Sequence, residues 1–329
     1  MRIVYPNVEY LPIDSTKVVH YNHLLKCARI THAADENVEA NQNLIELLYN
    51  KKHYSVFRHV PHYYILHKKD KAPIGLMVLL NAYKITNNPF INIVKNNNTL
   101  FISTNENFLI DNPELKKQLD IYEVTPEIFY KEGPIGLIYY SFKCTTQIST
   151  TRELNRVSPN AICEESTRYC NYSKDKFDGQ VALCVPHWFR FKQDFKTIDI
   201  NPSRGLFADN KPMRLDDILI LNDEYSSIYA YSYLSDMIYY EKNYIDLIKR
   251  GIKPEDARGE LPLDTASNVI YTYTLDQWIH ILKLRYFGTT GKPHPNAKII
   301  ASMIYNELYI HLDNGRYILS KVDNIIEKQ

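Results

Sequence analysis

Hydrophobic and polar positions divide the chain into stretches of two different periods. The opening residues alternate as a short strand does, and from near His20 the spacing becomes helical. Leu44, Leu47 and Leu48 stand at i, i+3 and i+4, which predicts an amphipathic helix over Asn43–Lys51. Between residues 61 and 150, β-rich runs alternate with asparagine-rich turns. His62–His67 and Thr99–Ser103 read as strands, with Asn96-Asn97-Asn98 as a turn between strands. Ile138–Thr146 and the short apolar run Val181–Pro186 are further predicted strands, whereas polar, turn-rich Asn201–Leu215 reads as a surface loop. Ser227–Arg250 is a long predicted helix closed by Gly251 and Pro254, with its spaced tyrosines read as packing residues. No internal repeat and no long linker interrupts this order.

Composition narrows the setting. At 329 residues the chain is long enough for a substantial core, and 45% hydrophobic with 23% charged residues is ordinary for a globular protein. The formal charge of +1 argues against a nucleic-acid or membrane-surface partner. Its longest apolar run, near Ile74–Leu80, is far too short to span a bilayer, and the start MRIVYPNVEYLPID lacks a signal pattern. Five cysteines (Cys27, Cys144, Cys163, Cys170, Cys184) form no CxxC pair, which predicts reduced thiols in a cytoplasmic protein. Scarce glycine (10) and abundant tyrosine (27) fit an AT-rich genome of viral or phage kind.

Several chemistries drop out. Gly133–Gly136 and Gly288–Gly291 form neither a G-x-G-x-x-G nor a Walker loop, and no G-x-S-x-G elbow is present. His53, His59, His62 and His67 match no standard zinc spacing, so no metal site is predicted. What remains is Arg152–Lys176. There Glu164 and Glu165 run into Ser166, Thr167, Arg168 and Tyr169, placing acceptors, hydroxyls and a guanidinium fork within a few residues. Such a set can hold a phosphate and read ribose and base edges. It also suits the capped, solvated start of a helix.

Glu164-Glu165-Ser166-Thr167-Arg168-Tyr169 resembles the second half of the signature of the flavin-dependent thymidylate synthases. Where that family carries Arg-His-Arg, this chain has Arg156-Val157-Ser158, and Ala161 replaces a serine. His53, Ser55 and His59 resemble a flavin-holding stretch of the family, with Arg58 where an acid is expected. Tyr83–Phe90 and Ser103–Asn105 resemble a β insertion of one subgroup. Ala257-Arg258, Leu261-Pro262, the helix ending in Leu284-Arg285, and His294 resemble its C-terminal part.

The resemblance implies an α+β core, here one domain over 1–329 with a β-rich insertion around 61–135. It implies a homotetramer with sites where subunits meet, and reductive methylation of dUMP using FAD, methylenetetrahydrofolate and NADPH. Glu164, Glu165, Ser166, Thr167, Arg168, Arg258 and Arg285 are then the candidate substrate residues. Arg258 would take the phosphate and Arg285 would stabilise charge on the uracil, with Arg285 and Ser166 as catalytic candidates. His53, Ser55, His59, Arg156, His280 and His294 are the candidate cofactor residues. The changed half-motif leaves two alternatives: a different pyrimidine-nucleotide modification such as hydroxymethylation, or a non-catalytic nucleotide-binding homologue.

Overall fold

The computed structural model describes residues 1–13, 17–31 and 42–326. Its organising layer is a four-stranded antiparallel sheet in the order Asn7–Leu11, Tyr139–Gln147, Ala266–Thr274, Ile162–Glu164. Ala266–Thr274 is buried along nearly its whole length, so both of its faces must be covered. Alternation decides which residues serve which face. Val269, Tyr271 and Tyr273 point with Phe142 and Cys144 into a core built against Trp278, Leu282, Ile300 and Ile304. Ile270 points the other way and joins Cys163, Leu24, Leu25 and Phe57.

Each of the two long strands feeds directly into a helix. Tyr139–Gln147 runs into Ile148–Asn155, and Ala266–Thr274 into Leu275–Arg285. The second junction is a capping box: Thr274 Oγ1 accepts from the Gln277 amide while the Gln277 side chain accepts from the Thr274 amide. The turn therefore starts the predicted helix at Leu275.

The segment 61–135 is only half as predicted. It does form a four-stranded antiparallel sheet, in the order Ile91–Asn96, Thr99–Asn105, Pro61–His67, Glu123–Val124. Asn97 at φ 49° makes the expected turn. However, the segment carries more helix than strand. The apolar run at Ile74 begins a helix, Ile74–Ile85, which drives Leu76 and Leu80 into a satellite core under the sheet. Continuous apolarity over seven residues fits a helix or a strand equally, and the helix found here runs on past the apolar stretch to twelve residues.

Asn201–Leu215 also departs from the expected loop. Ile198–Asn201, Gly205–Ala208 and Lys211–Pro212 form a small three-stranded sheet. Its polar residues occupy tight turns, with Asp209 and Asn210 in the left-handed region, while Leu206 and Ala208 are buried. Turn-rich composition marked the connections and hid the short strands between them.

The long helix spans Ser227–Lys249. Ser226 Oγ caps it from 3.2 Å at the Tyr229 amide, and Gly251 ends it at φ 90°, where a side chain would be strained. Leu234, Ile238 and Tyr244 pack it against Trp188, Phe189 and Val181. Tyr244 thus packs as predicted, while Tyr229, Tyr239 and Tyr240 are exposed. Among the described residues no helix is long and apolar enough to cross a membrane.

Candidate functional site

The motif leaves the central sheet at its edge. Ile162–Glu164 pairs with Tyr271–Val269, and the chain stays fastened one residue further, where the Glu165 amide donates to the Asn268 carbonyl at 2.9 Å. A turn then begins, with the Ser166 amide on the Thr31 carbonyl at 3.0 Å and the Tyr169 and Cys170 amides on the Ser166 carbonyl. Glu164 thus ends the strand, Glu165 is fastened one residue beyond it, and Ser166–Tyr169 form a tight turn.

Both carboxylates are engaged within their own chain. Glu164 Oε1 accepts from Thr151 Oγ1 at 2.7 Å and Ser267 Oγ at 3.0 Å, and Oε2 from Asn155 Nδ2 at 3.5 Å. Glu165 accepts from the Asn268 side-chain amide at 2.8 Å and the Asn268 backbone at 3.2 Å. Burial pushes the Glu165 carboxyl up, and these hydrogen bonds oppose the rise. Thr145 Oγ1 donates to Asn268 Oδ1 at 2.6 Å, which fixes the amide orientation that Glu165 uses. Thr151, Asn155, Ser267 and Asn268 were not foreseen. They lie in a helix and a strand whose pairing with the motif only the sheet register supplies.

Beyond the carboxylates the turn presents cations. Arg168 is exposed, 3.6 Å from Glu255 and 5.4 Å from the Tyr169 ring centroid. Arg258 reaches back from more than ninety residues along the chain to Thr167 Oγ1 at 3.5 Å. Arg258 and half-buried Thr167 therefore meet at one corner, next in sequence to exposed Arg168, whose guanidinium lies toward Glu255. Ser166 Oγ accepts from the Arg168 amide at 3.3 Å, a turn-stabilising role.

Arg285 sits elsewhere. Its Nε and Nη2 both donate to the Glu153 carbonyl, at 3.2 and 3.0 Å, near the C-terminus of Ile148–Asn155, where a helix favours a cation. Among the described residues no hydrogen bond or ion pair joins Arg285 to Arg168 or Arg258. The link between the two places is the helix Ile148–Asn155: Thr151 and Asn155 hold Glu164, and Glu153 holds Arg285.

The candidate cofactor residues are dispersed. His53 and Ser55 are exposed at the start of a short helix, Tyr54–His59, whereas His59 at its end is fully buried. Burial holds the His59 imidazole well below its ordinary pKa, with His23 adding to the effect. Arg156 and His280 are exposed. His294 caps the helix Pro295–Asn306, with Nδ1 accepting from the Asn296 amide at 3.2 Å, and meets the His187 ring edge-on at 5.5 Å.

Within the altered half-motif, Val157 packs against the main core and Ser158 Oγ accepts from the Asn160 amide. Arg58 reaches this loop. Its Nη1 donates to the Asn160 carbonyl at 2.9 Å, its Nε to Asn107 at 3.1 Å, and it lies 4.8 Å from the Phe90 ring centroid. A guanidinium thus stands beside the loop from which the motif's own second arginine is missing. Clefts of about 680 and 810 Å³ lie elsewhere, the first between Gln180, Asp199 and Lys242, the second between Tyr49, Phe57 and Glu106.

The family described as thymidylate synthase complementing protein matches residues 129–309, which include the motif, Arg258, Arg285 and His294. No curated protein matches the chain. Among solved structures, the UMP/dUMP methylase PolB from Streptomyces cacaoi bound with 5-Br dUMP aligns at TM-score 0.40 and 17% identity, over 94% of this chain and 92% of that one. The same methylase bound with 5-Br UMP aligns at TM-score 0.40 and 16% identity, over 94% and 91%. Superpositions this loose transfer no residue role.

Proposed function

From the premise that the chain belongs to the thymidylate synthase complementing protein family, we propose that it is a flavin-dependent enzyme that methylates dUMP to dTMP. The observation that carries this reading is the corner at Thr167. The family match spans both Arg168 and Arg258, and the fold brings Arg258 back to the hydroxyl of Thr167, the residue next to Arg168. Two forked cations with a hydroxyl suit a nucleotide monophosphate. In this reading Thr167, Arg168 and Arg258 hold the phosphate. Glu164 and Glu165 act by pinning the strand from which that turn springs. Arg285, fixed on the Glu153 carbonyl, presents positive charge toward the pyrimidine, where it favours negative charge developing on the ring.

Two donors at the altered half-motif suit an anionic dinucleotide such as FAD: exposed Arg156 within it and Arg58 at the Asn160 carbonyl, with His53 and Ser55 exposed at the start of the helix that carries Arg58. When bound, FAD supplies the reducing equivalents, methylenetetrahydrofolate the carbon and NADPH the re-reduction. Those residues would hold its diphosphate, and Val157 offers it no donor. The site is proposed to be completed in a homotetramer. Ile74, Val78 and Ile85, all well exposed on one helix, supply apolar surface for such contacts.

Val157 packed inward favours a second reading, a nucleotide-binding homologue that has lost its flavin. An absorbance spectrum after FAD addition and desalting separates the two. A retained flavin spectrum, followed by dUMP turnover to a product heavier by one methyl group, supports the methylase. A colourless protein that still binds dUMP overturns it in favour of the second reading. A retained flavin with a hydroxymethylated product would move the proposal to a different one-carbon addition.

A further inference from the structure

The face of the central sheet opposite Trp278 carries a cluster that the proposed reaction does not use. Thr272 lies on this face, as does Ile270. Against it packs the helix Lys17–Ile30, on which His23 and Cys27 stand one turn apart. His59 arrives from the end of Tyr54–His59. Cys27 Sγ and one nitrogen from each imidazole lie within 4.8 Å of one another, and all three residues are buried, His23 at 4% and the other two at 0% exposure.

One spacing in the cluster is close to that of a coordination sphere, and the other ligand atoms need only small shifts to complete it. Cys27 Sγ is 3.7 Å from His23 Nε2. A tetrahedral zinc with Zn–S of about 2.3 Å and Zn–N of about 2.0 Å places sulfur and nitrogen about 3.6 Å apart. Metal-bound imidazoles ordinarily have an outer hydrogen-bonding partner on the nitrogen that does not bind the ion, and Thr272 supplies one for His59 at Nδ1. Thr272 Oγ1 is 2.7 Å from His59 Nδ1 and 3.5 Å from His23 Nε2, and is itself fixed by Ser141 Oγ at 2.8 Å. His59 Nε2, fully buried, makes no well-aligned hydrogen bond, with only the Ile162 backbone beside the ring as a polar neighbour.

We propose that His23, Cys27 and His59 bind a zinc-class divalent ion that clamps the helix Lys17–Ile30 to the central sheet. One thiolate with two imidazoles selects zinc over magnesium or calcium, which take oxygen ligands. Three protein ligands leave a fourth position for water or for Cys163, which lies in the same apolar cluster. Coordination displaces the Cys27 thiol proton, so each ion bound releases one proton. The site does not depend on the flavin chemistry, and its role is structural.

The test uses the full chain stripped with a chelator and titrated with cobalt(II), followed by zinc analysis by mass spectrometry. The expected result is one ion per chain, with a thiolate-to-cobalt charge-transfer band and tetrahedral d–d bands. Cys27→Ser should abolish the charge-transfer band, and His23→Gln should weaken binding at least about tenfold. A second readout needs no variant: zinc, but not magnesium, raises the Tm of the stripped wild-type chain. No ion retained after gel filtration, an unchanged cobalt spectrum in Cys27→Ser, or no zinc-dependent rise in Tm would each overturn the proposal. The cluster would then be a buried hydrogen-bond chain through Thr272.

Discussion

Replacing Glu164 separates what the motif does for the fold from what it does for a ligand. Its carboxylate ties three donors from two other elements: Thr151 and Asn155 on a helix, and Ser267 on the central strand. Glu164→Ala removes all three acceptor contacts. Hydrogen bonds to a charged acceptor contribute about 1.5–3 kcal/mol each. The 3.5 Å contact counts for little, Thr151 Oγ1 keeps the Ile148 carbonyl, and water can reach this half-buried edge. Discounted in this way, the expected loss is about 2–4 kcal/mol. Glu164→Gln keeps an acceptor for the two short bonds and should cost about 1 kcal/mol. The assay is urea unfolding of both variants, with dUMP binding measured by calorimetry at low urea. The expected outcome is a large drop in the urea midpoint for alanine, a small one for glutamine, and dUMP affinity within about threefold of wild type in the glutamine variant, a difference under 1 kcal/mol. Equal destabilisation by both substitutions would refute the acceptor argument. A well-folded Glu164→Gln that loses dUMP tenfold would show that the carboxylate contacts the nucleotide.

Three further outcomes follow from other sites. His62 lies between Glu106 at 2.7 Å and Glu123 at 2.6 Å; burial alone would lower its pKa, but the two glutamates outweigh that and raise it. A raised histidine stabilises fully below about pH 6.5 and loses its effect as pH climbs through the folded value. Glu106 is buried, which would raise it, yet His62 and Lys116 hold it low, so its contribution is whole above about 4.5 and fades as pH falls. His62→Gln should therefore cost about 1–2 kcal/mol at pH 6 and under half of that at pH 9, and equal costs in urea unfolding would contradict the bridge. Arg258→Gln should weaken dUMP about ten- to a hundredfold but leave deoxyuridine unchanged, and equal loss of both ligands by calorimetry would remove Arg258 from the phosphate. Trp278, 1% exposed with Nε1 donating to the Tyr140 carbonyl at 3.0 Å, should cost about 3–5 kcal/mol on truncation to alanine, and a cost below about 1 kcal/mol would place it outside the core.

Period and punctuation made the long elements legible. The helices at Gln42–Asn50 and Ser227–Lys249 appear within a residue or two of their expected bounds, as does the strand Tyr139–Gln147. The turn at Asn97 was readable because asparagine tolerates its positive φ. Two kinds of information were missing. Short strands such as Gly205–Ala208 fall below the length at which a period can be counted, and Ile74–Ile85 has no period to count. The second gap is pairing. The motif's letters pointed to Glu164 and Glu165, but nothing local says that Ser267 and Asn268 will lie beside them, because register is a property of two distant segments. The same gap hid His59 from His23 and Cys27. The histidines near His59 in sequence were weighed together, while its spatial partners lay on a helix some thirty residues upstream.

The strand order of the central sheet also sets a timetable for synthesis. The sheet of residues 61–124 pairs segments that follow one another closely, so it can close while the ribosome is still extending the chain. The central sheet must wait. Tyr139–Gln147 and Ile162–Glu164 both need Ala266–Thr274 between them, so the motif-bearing strand spends about a hundred residues of elongation as an unpaired edge. At about 5–20 residues per second that exposure lasts about 5–20 s. Release of a chain truncated before residue 266 should therefore leave a folded 61–124 unit joined to an aggregation-prone remainder.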